Sequence, residues 1–317
     1  MATDTTVLEH QTKQGGDWDG GKSPFKTSYG KIMMWYFLLS DAFTFAGFLI
    51  AYGALRFSMP TWPLPDFVFS TAPGLENAPL IFVTIMTFVL IVSSVTMVRA
   101  VQEGHRENKQ GVLVWMVLTI IGGAAFLGCQ AWEWNKLIAG EGMTIFTNPF
   151  SNHLEGGTYL SADELKSAGF AEVAKDDETY YLPAGTQDIE ENRYYEKRDH
   201  HGDRPEDVKI EAGDPYLITY SHDSHTYQYG AIKTDGGEII RESFGPRAFG
   251  ALFFSITGFH GFHVFSGVAF LIIIAINVAS GLYVERKNGY EMVEKMGLYW
   301  HFVDLVWVFV FLVFYLL

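Results

Sequence analysis

Residues 248–282 read AFGALFFSITGFHGFHVFSGVAFLIIIAINVASGL, thirty-five positions without one Asp, Glu, Lys or Arg. A helix rising 1.5 Å per residue needs about 20 apolar residues to cross roughly 30 Å of hydrocarbon, so this run can cross a bilayer with tilt or extend beyond it. Four other stretches pass the same test: Ile32 to Phe57, Pro79 to Val101, Val112 to Ile138 and Met296 to Leu317. Lipid offers backbone N–H and C=O groups no partner, which makes each of the five a helix.

The bulk composition agrees only after it is divided. The chain is 49% hydrophobic, 16% aromatic and 18% charged, yet its mean hydropathy is a modest +0.11. The segment from Glu141 to Glu242 holds 22 acidic and 9 basic side chains, and so 13 of the 14 net negative charges. The expected fold class is an all-α polytopic membrane protein, five transmembrane helices in a bundle with an inserted small α+β extramembrane subdomain. Its expected divisions are a flexible tail over 1–30, helices over 31–138, the acidic insertion over 139–246 and two further helices over 247–317.

An insertion of that length is too long to lack structure. Ser161 with Glu164 matches a capping box opening a helix through about Ala174, and Thr234-Asp-Gly-Gly237 reads as a hairpin turn. The one cysteine, Cys129, lies in an apolar run, which excludes a disulfide framework and a thiolate cluster. The tail from Met1 to Gly30 lacks the pattern of a secretory signal. No repeat and no nucleotide-binding glycine loop is present, and no nucleic-acid partner is expected.

Orientation follows from the basic residues in short loops. Arg106 and Lys109 lie in one, Arg286, Lys287 and Lys295 in another, and Lys22, Lys26 and Lys31 precede the first span. These ends are expected in the cytoplasm, which puts the insertion and the C-terminus in the periplasm of a bacterial inner membrane. Trp132 and Trp134, with Trp62, are read as interfacial aromatics on that outer side.

Polar side chains inside the spans are the candidate site residues. Asp41 stands about 15 Å into the first span, near mid-bilayer, where it is expected to be neutral or paired. His260 and His263, three apart on one helix face, lie at a similar depth, and one imidazole is expected to face Asp41. A metal or haem held by the two histidines is the sharper alternative. Glu133, late in the third span, is read as a structural anchor that water can reach. His301 and Asp304 also share a face, and are expected to join each other, a neighbouring helix or lipid phosphate. Arg99, His105 and Arg106 make a cationic collar suited to anionic headgroups. Outside the spans, His200-His201 and His222 with His225 are read as solvated rather than ligating, and no nucleophile-base pattern supports hydrolysis.

Several strings in these helices resemble subunit III of the haem-copper cytochrome oxidases. They are Leu39-Ser-Asp41 followed by Phe43-Thr-Phe-Ala-Gly-Phe48, Ser93-Ser-Val-Thr-Met97 with Gly104-His-Arg106, Gln130-Ala-Trp-Glu133, Thr257-Gly-Phe-His-Gly-Phe-His263, and Tyr299-Trp-His-Phe-Val-Asp-Leu-Val-Trp307. The resemblance covers the membrane-embedded residues and none of the insertion.

It implies a non-catalytic subunit of an oxygen-reducing, proton-translocating complex, without catalytic residues, metal, haem or copper of its own. Haem and copper belong to the partner subunits. The implied partners are the catalytic subunit I, subunit II, and a two-helix unit on another chain, because this sequence begins at the family's five-helix bundle. Phospholipid is implied as a ligand, with Trp35, Arg99, His105, Arg106 and His301 as candidate contacts. The chain departs from the family in carrying Asp41 where Glu is usual, and in having the acidic insertion.

That insertion is expected to dock cytochrome c or a neighbouring respiratory complex by steering a basic partner. A solubilising cap and an assembly contact are the other readings. Within the family the alternative is a quinol oxidase or nitric-oxide-reductase-associated homologue. In other classes, a proton-coupled transporter would use Asp41 and His260 as a relay, and a di-metal membrane enzyme would need more ligands than the spans supply.

Overall fold

The computed structural model describes residues 27–70, 72–73, 80–175, 178–186, 192–197, 209–283 and 290–317. Five helices in it are long and apolar enough to cross a membrane. They are α1 (Tyr29–Ser58), α3 (Ile81–His105), α4 (Lys109–Asn135), α6 (Arg247–Ser280) and α7 (Glu291–Phe311). A single turn, α2 (Pro65–Val68), follows α1. Both α4 and α7 end in π-helical turns, Lys136–Gly140 and Leu312–Leu316, on the side of the bundle that carries the insertion. The chain is a multi-pass membrane protein.

The observed spans overrun the apolar runs where charge helps rather than hinders a helix end. α7 begins at Glu291 rather than Met296, with Glu291 and Glu294 in its first turn, where the positive end of the helix dipole favours carboxylates. The last turn of α3 likewise runs on through Gln102 to His105. The tail before residue 27, the His200-His201 pair and the Arg286-Lys287 loop lie outside the described residues.

Helix α7 packs against α1, α3 and α6, while α4 closes the bundle between α3 and α6. Small residues let the helices approach. At Gly123 of α4 a Cβ would stand 2.5 Å from the Trp300 ring, and at Gly267 of α6 one would stand 3.0 Å from the same ring. Trp300 and Trp307 are fully buried. Their indole N–H groups donate to Ser93 Oγ at 3.1 Å and Thr87 Oγ1 at 3.0 Å, which joins α7 to α3 by polar contacts inside the apolar core. α1 is the most peripheral span, leaving Trp35, Phe43, Ile50 and Phe57 exposed.

The insertion is α+β, as expected. Strands β1 (Gly157–Tyr159), β4 (Lys209–Ile210), β7 (Ala231–Thr234) and β8 (Ile239–Arg241) form an antiparallel sheet in the order β4-β1-β7-β8. Two hairpins stand beside it: β2 (Phe170–Lys175) with β3 (Glu178–Pro183), and β5 (Thr219–Ser221) with β6 (Thr226–Gln228). The turn at Thr234 to Gly237 connects β7 and β8, with Gly237 at φ +83°.

The capping box at Ser161 and Glu164 is present and opens α5 (Ala162–Ser167). This helix stops short of the expected Ala174. Gly169 takes φ +94°, a left-handed conformation that suits glycine, and the chain turns into β2. A second correction concerns Trp62, which does not face the lipid interface but is enclosed by protein. It is buried, donates its indole N–H to Tyr52 Oη at 3.1 Å, and packs edge-on against Phe249. Its backbone N–H also reaches Asn152 Oδ1, so it helps join the insertion to the bundle.

Candidate functional site

The intramembrane polar residues form separate joints between helices. Asp41 of α1 meets His263 of α6, with Oδ2 3.2 Å from Nε2. The other ring nitrogen, Nδ1, is 2.8 Å from the Phe259 carbonyl. A carbonyl only accepts, so Nδ1 carries a hydrogen and donates. The contact at Nε2 then requires one further proton between that nitrogen and Asp41. The pair therefore holds one shared proton, and within lipid the form with that proton on the carboxyl group, which separates no charge, costs less than the ion pair. Around it, Tyr299 Oη lies 2.9 Å from Ser266 Oγ and donates to the His263 carbonyl at 3.1 Å.

It is His263, then, and not His260 that faces Asp41. His260 is fully buried, and its ring is surrounded by Phe45, Phe126 and Trp307 at centroid distances of 6.4, 5.7 and 5.1 Å. Neither ring nitrogen has a hydrogen-bond partner among the described residues. The Asp41–His260 relay expected of a transporter is not assembled. Among the described residues, no group of three or more His, Cys, Asp or Glu is arranged to hold a metal ion.

The remaining candidates are distributed over other helix contacts. Glu133 is 5% exposed and accepts hydrogen bonds from Tyr315 Oη at 3.1 and 3.2 Å. This corrects the expectation that water reaches it: the π-helical turn at Leu312–Leu316 brings Tyr315 over the carboxyl group. Ser94 of α3 stands 2.6 Å from His301 Nδ1 and so joins α7 to the neighbouring helix, whereas Asp304 Oδ1 is buried with no hydrogen-bond partner among the described residues.

The proposed collar is only partly assembled. Arg99 lies over the Trp115 ring at 5.5 Å and reaches Gln102. Arg106 is paired with Glu103, which also accepts from Asn108. His105 and Trp35 are exposed, and no hydrogen bond or ring contact among the described residues links Trp35 to the arginines.

Beside the Asp41–His263 pair a groove of about 610 Å³ opens between α1, α6 and α7. Phe37, Phe262, Phe270, Ile273, Met292 and Met296 supply most of its wall, and His263, Ser266, Tyr299 and Asn277 its polar points. An apolar trough with a few polar groups at this depth suits an acyl chain.

The insertion has a polar centre of its own that sequence reading missed. Glu242 is fully buried. Its Oε1 accepts from Tyr159 Oη at 2.6 Å and the Leu217 N–H at 2.8 Å, and its Oε2 accepts from the Gly230 N–H at 2.7 Å. Lys197, 3% exposed, completes the set with Nζ 3.5 Å from Oε2. Tyr159 spends its hydrogen on Glu242, so His153 Nε2 donates to Tyr159 Oη at 3.1 Å. Burial pulls the Lys197 and His153 pKa values down, in both cases against the opposing charge of Glu242. Burial and that same charge push the Tyr159 phenol well above its ordinary range. The partners come from four separate segments, and no local spacing announces them.

The sequence that builds this bundle is similar to those of known proteins. The profile of the family described as Cytochrome c oxidase subunit III matches residues 238–317, which hold α6, α7 and His263. A cytochrome c oxidase subunit 3 of Alkalihalophilus pseudofirmus is 24% identical over 288 residues, covering 89% of this chain and 84% of that protein. By these matches the chain is similar to the cytochrome c oxidase subunit III family, most densely in α6 and α7. Subunits named cytochrome c oxidase subunit 3 from Marchantia polymorpha and Glycine max are 46% and 48% identical over 68 residues, 21% of this chain. In those plant matches the chain spans about a quarter, 24%, of the relative's length.

Proposed function

We propose that this chain is the non-catalytic subunit III of a haem-copper cytochrome c oxidase, a bundle that supports the flank of the catalytic subunit I and helps sustain its proton uptake. The observation that carries this reading is the use made of the polar residues in the family strings. Asp41–His263, Trp300–Ser93 and His301–Ser94 each join two spans, and Trp307 of the last string reaches Thr87 outside them. Such contacts set helix register inside lipid. Haem and copper reside in the partner subunits, which include subunit I and subunit II. A two-helix unit on another chain covers the exposed face of α1.

Phospholipid occupies the groove between α1, α6 and α7, and Arg99, His105 and Arg106 attract its headgroups from the cytoplasmic side. Trp35 stands at the same end of its span, and His301 lies deeper, near the middle of α7. The N-terminus is cytoplasmic, and the insertion and C-terminus are periplasmic, as the basic short loops favour. On that side the acidic insertion steers a basic donor such as cytochrome c, or a neighbouring respiratory complex.

The test compares the oxidase with and without this chain. Its removal is expected to leave the initial rate of oxygen reduction nearly intact and to shorten the active lifetime during turnover. An unchanged lifetime contradicts the supporting role. For docking, neutralising the exposed acids in Glu155→Gln, Asp235→Asn and Glu238→Gln should flatten the salt dependence of turnover. An unaltered salt dependence contradicts it.

A further inference from the structure

The first segment of the insertion differs in character from the rest. From Gly142 to Leu154 there is no Asp, Glu, Lys or Arg, although 31 such residues lie between Glu141 and Glu242. Within this uncharged segment Thr144 to Thr147 forms a closed turn. The Thr144 N–H donates to the Thr147 carbonyl at 2.8 Å. Thr144 Oγ1 accepts from the Phe146 N–H at 3.2 Å and the Thr147 N–H at 3.0 Å. Three of the four amide donors are thereby satisfied within the turn, a condition for placing backbone in a water-poor setting. The two residues at its tip, Ile145 and Phe146, are 47% and 72% exposed, whereas Met143 just before them is fully buried.

The height of this turn along the bundle can be read from two contacts. The Thr144 carbonyl lies against Gly250, where a Cβ would be only 2.6 Å away, so the turn flanks the first turn of α6. On α1, about twenty residues from Lys31 span roughly 30 Å and reach Ala51. The next residue, Tyr52, bonds Trp62, which packs on Phe249 at 5.7 Å. Phe249 and Gly250 are therefore level with the hydrocarbon boundary on the insertion side. Phe244, 40% exposed, is tied to the start of the same segment: it packs on Tyr227 at 4.9 Å, and Tyr227 Oη donates to the Gly142 carbonyl at 2.6 Å.

We propose that Ile145 and Phe146 are an interfacial anchor that seats the insertion on the phospholipid leaflet. The side chains enter the boundary between headgroups and acyl chains, where aromatic residues concentrate. The occupant is lipid because the patch stands at bilayer height, in an uncharged segment, on a turn with most of its donors already paired. The anchor fixes the tilt of an acidic domain that otherwise meets the bundle through a few loop contacts.

The test uses the assembled complex in phospholipid nanodiscs. In a Cys129→Ser background, Phe146→Cys and, separately, Ile145→Cys receive a nitroxide label, with Asp163→Cys as an exposed reference on α5. Label signal from other subunits is subtracted with the Cys129→Ser complex. Collisions with oxygen, which partitions into lipid, are compared with collisions with a water-soluble nickel chelate. At both tip positions oxygen should relax the label several-fold more than nickel does, with the opposite order at residue 163. Nickel access at the tip equal to that at residue 163 would overturn the anchor in favour of a solvated turn. Protection from both reagents would overturn it in favour of a partner subunit covering the patch.

Discussion

Replacing Asp41 by Leu and by Asn separates a neutral shared-proton joint from a buried ion pair. Asp41→Leu removes the one partner that His263 Nε2 has among the described residues, while Nδ1 stays bonded to Phe259 O. A buried acceptor left unpaired costs about 1–3 kcal/mol in proteins generally, and couplings between polar pairs inside membranes average about 0.6 kcal/mol and reach about 1.7. The expected cost is therefore about 1 kcal/mol, close to a fivefold change in the folding equilibrium. Asp41→Asn should lose less than half of that, because the amide N–H donates to Nε2 without a shared proton.

The assay is unfolding of the purified complex in graded detergent, as a double-mutant cycle with His263→Leu. A coupling of about 1 kcal/mol, with Asn close to the unaltered chain, agrees with the geometry. A loss of about 3–5 kcal/mol, the range for breaking a buried ion pair, would refute the neutral joint, as would Asn proving as harmful as Leu.

Other outcomes follow from the remaining contacts. Tyr315→Phe leaves the Glu133 carboxyl group buried without its donor and should cost about 1–3 kcal/mol in the same unfolding assay, whereas Glu133→Gln, which still accepts, should cost less. Glu242→Ala strands Lys197 inside the insertion; protease cleavage between residues 141 and 242 should accelerate in line with a loss of about 3–5 kcal/mol, with no cleavage of the spans. Burial lowers the His153 pKa in the folded insertion below its ordinary 6.5, so the unfolded chain takes up the proton first as pH falls. Insertion stability should thus be complete above about pH 6.5 and decline through the window below it, as read by hydrogen exchange of β1 and β7, and His153→Gln should flatten that decline.

Sequence reading reached the membrane half of this structure because its signals are local and dense. Five runs with almost no charge define the spans, and equal depth on two helices brings Asp41 and a histidine together. The choice of His263 over His260 depends on the rotation of α6 against α1, which helical spacing of three does not resolve. Glu133 looked accessible because its partner, Tyr315, is 182 positions away and arrives through a π-helical turn that composition does not announce. In the insertion, the capping box and the Asp-Gly turn were legible as local chemistry. The end of α5 at Gly169 required weighing a single glycine against continuing helical periodicity. The Glu242 centre was illegible for the same reason as Glu133, since its donors are brought together only by the sheet.

The most direct test of the account is to tag this chain, extract it gently, and record the visible spectrum and subunit composition of what accompanies it. The expected result is haem a absorption together with a large catalytic partner, and no haem remaining on this chain once it is separated. A solitary, haem-free protein, particularly one that transports protons or solutes in vesicles, would contradict it.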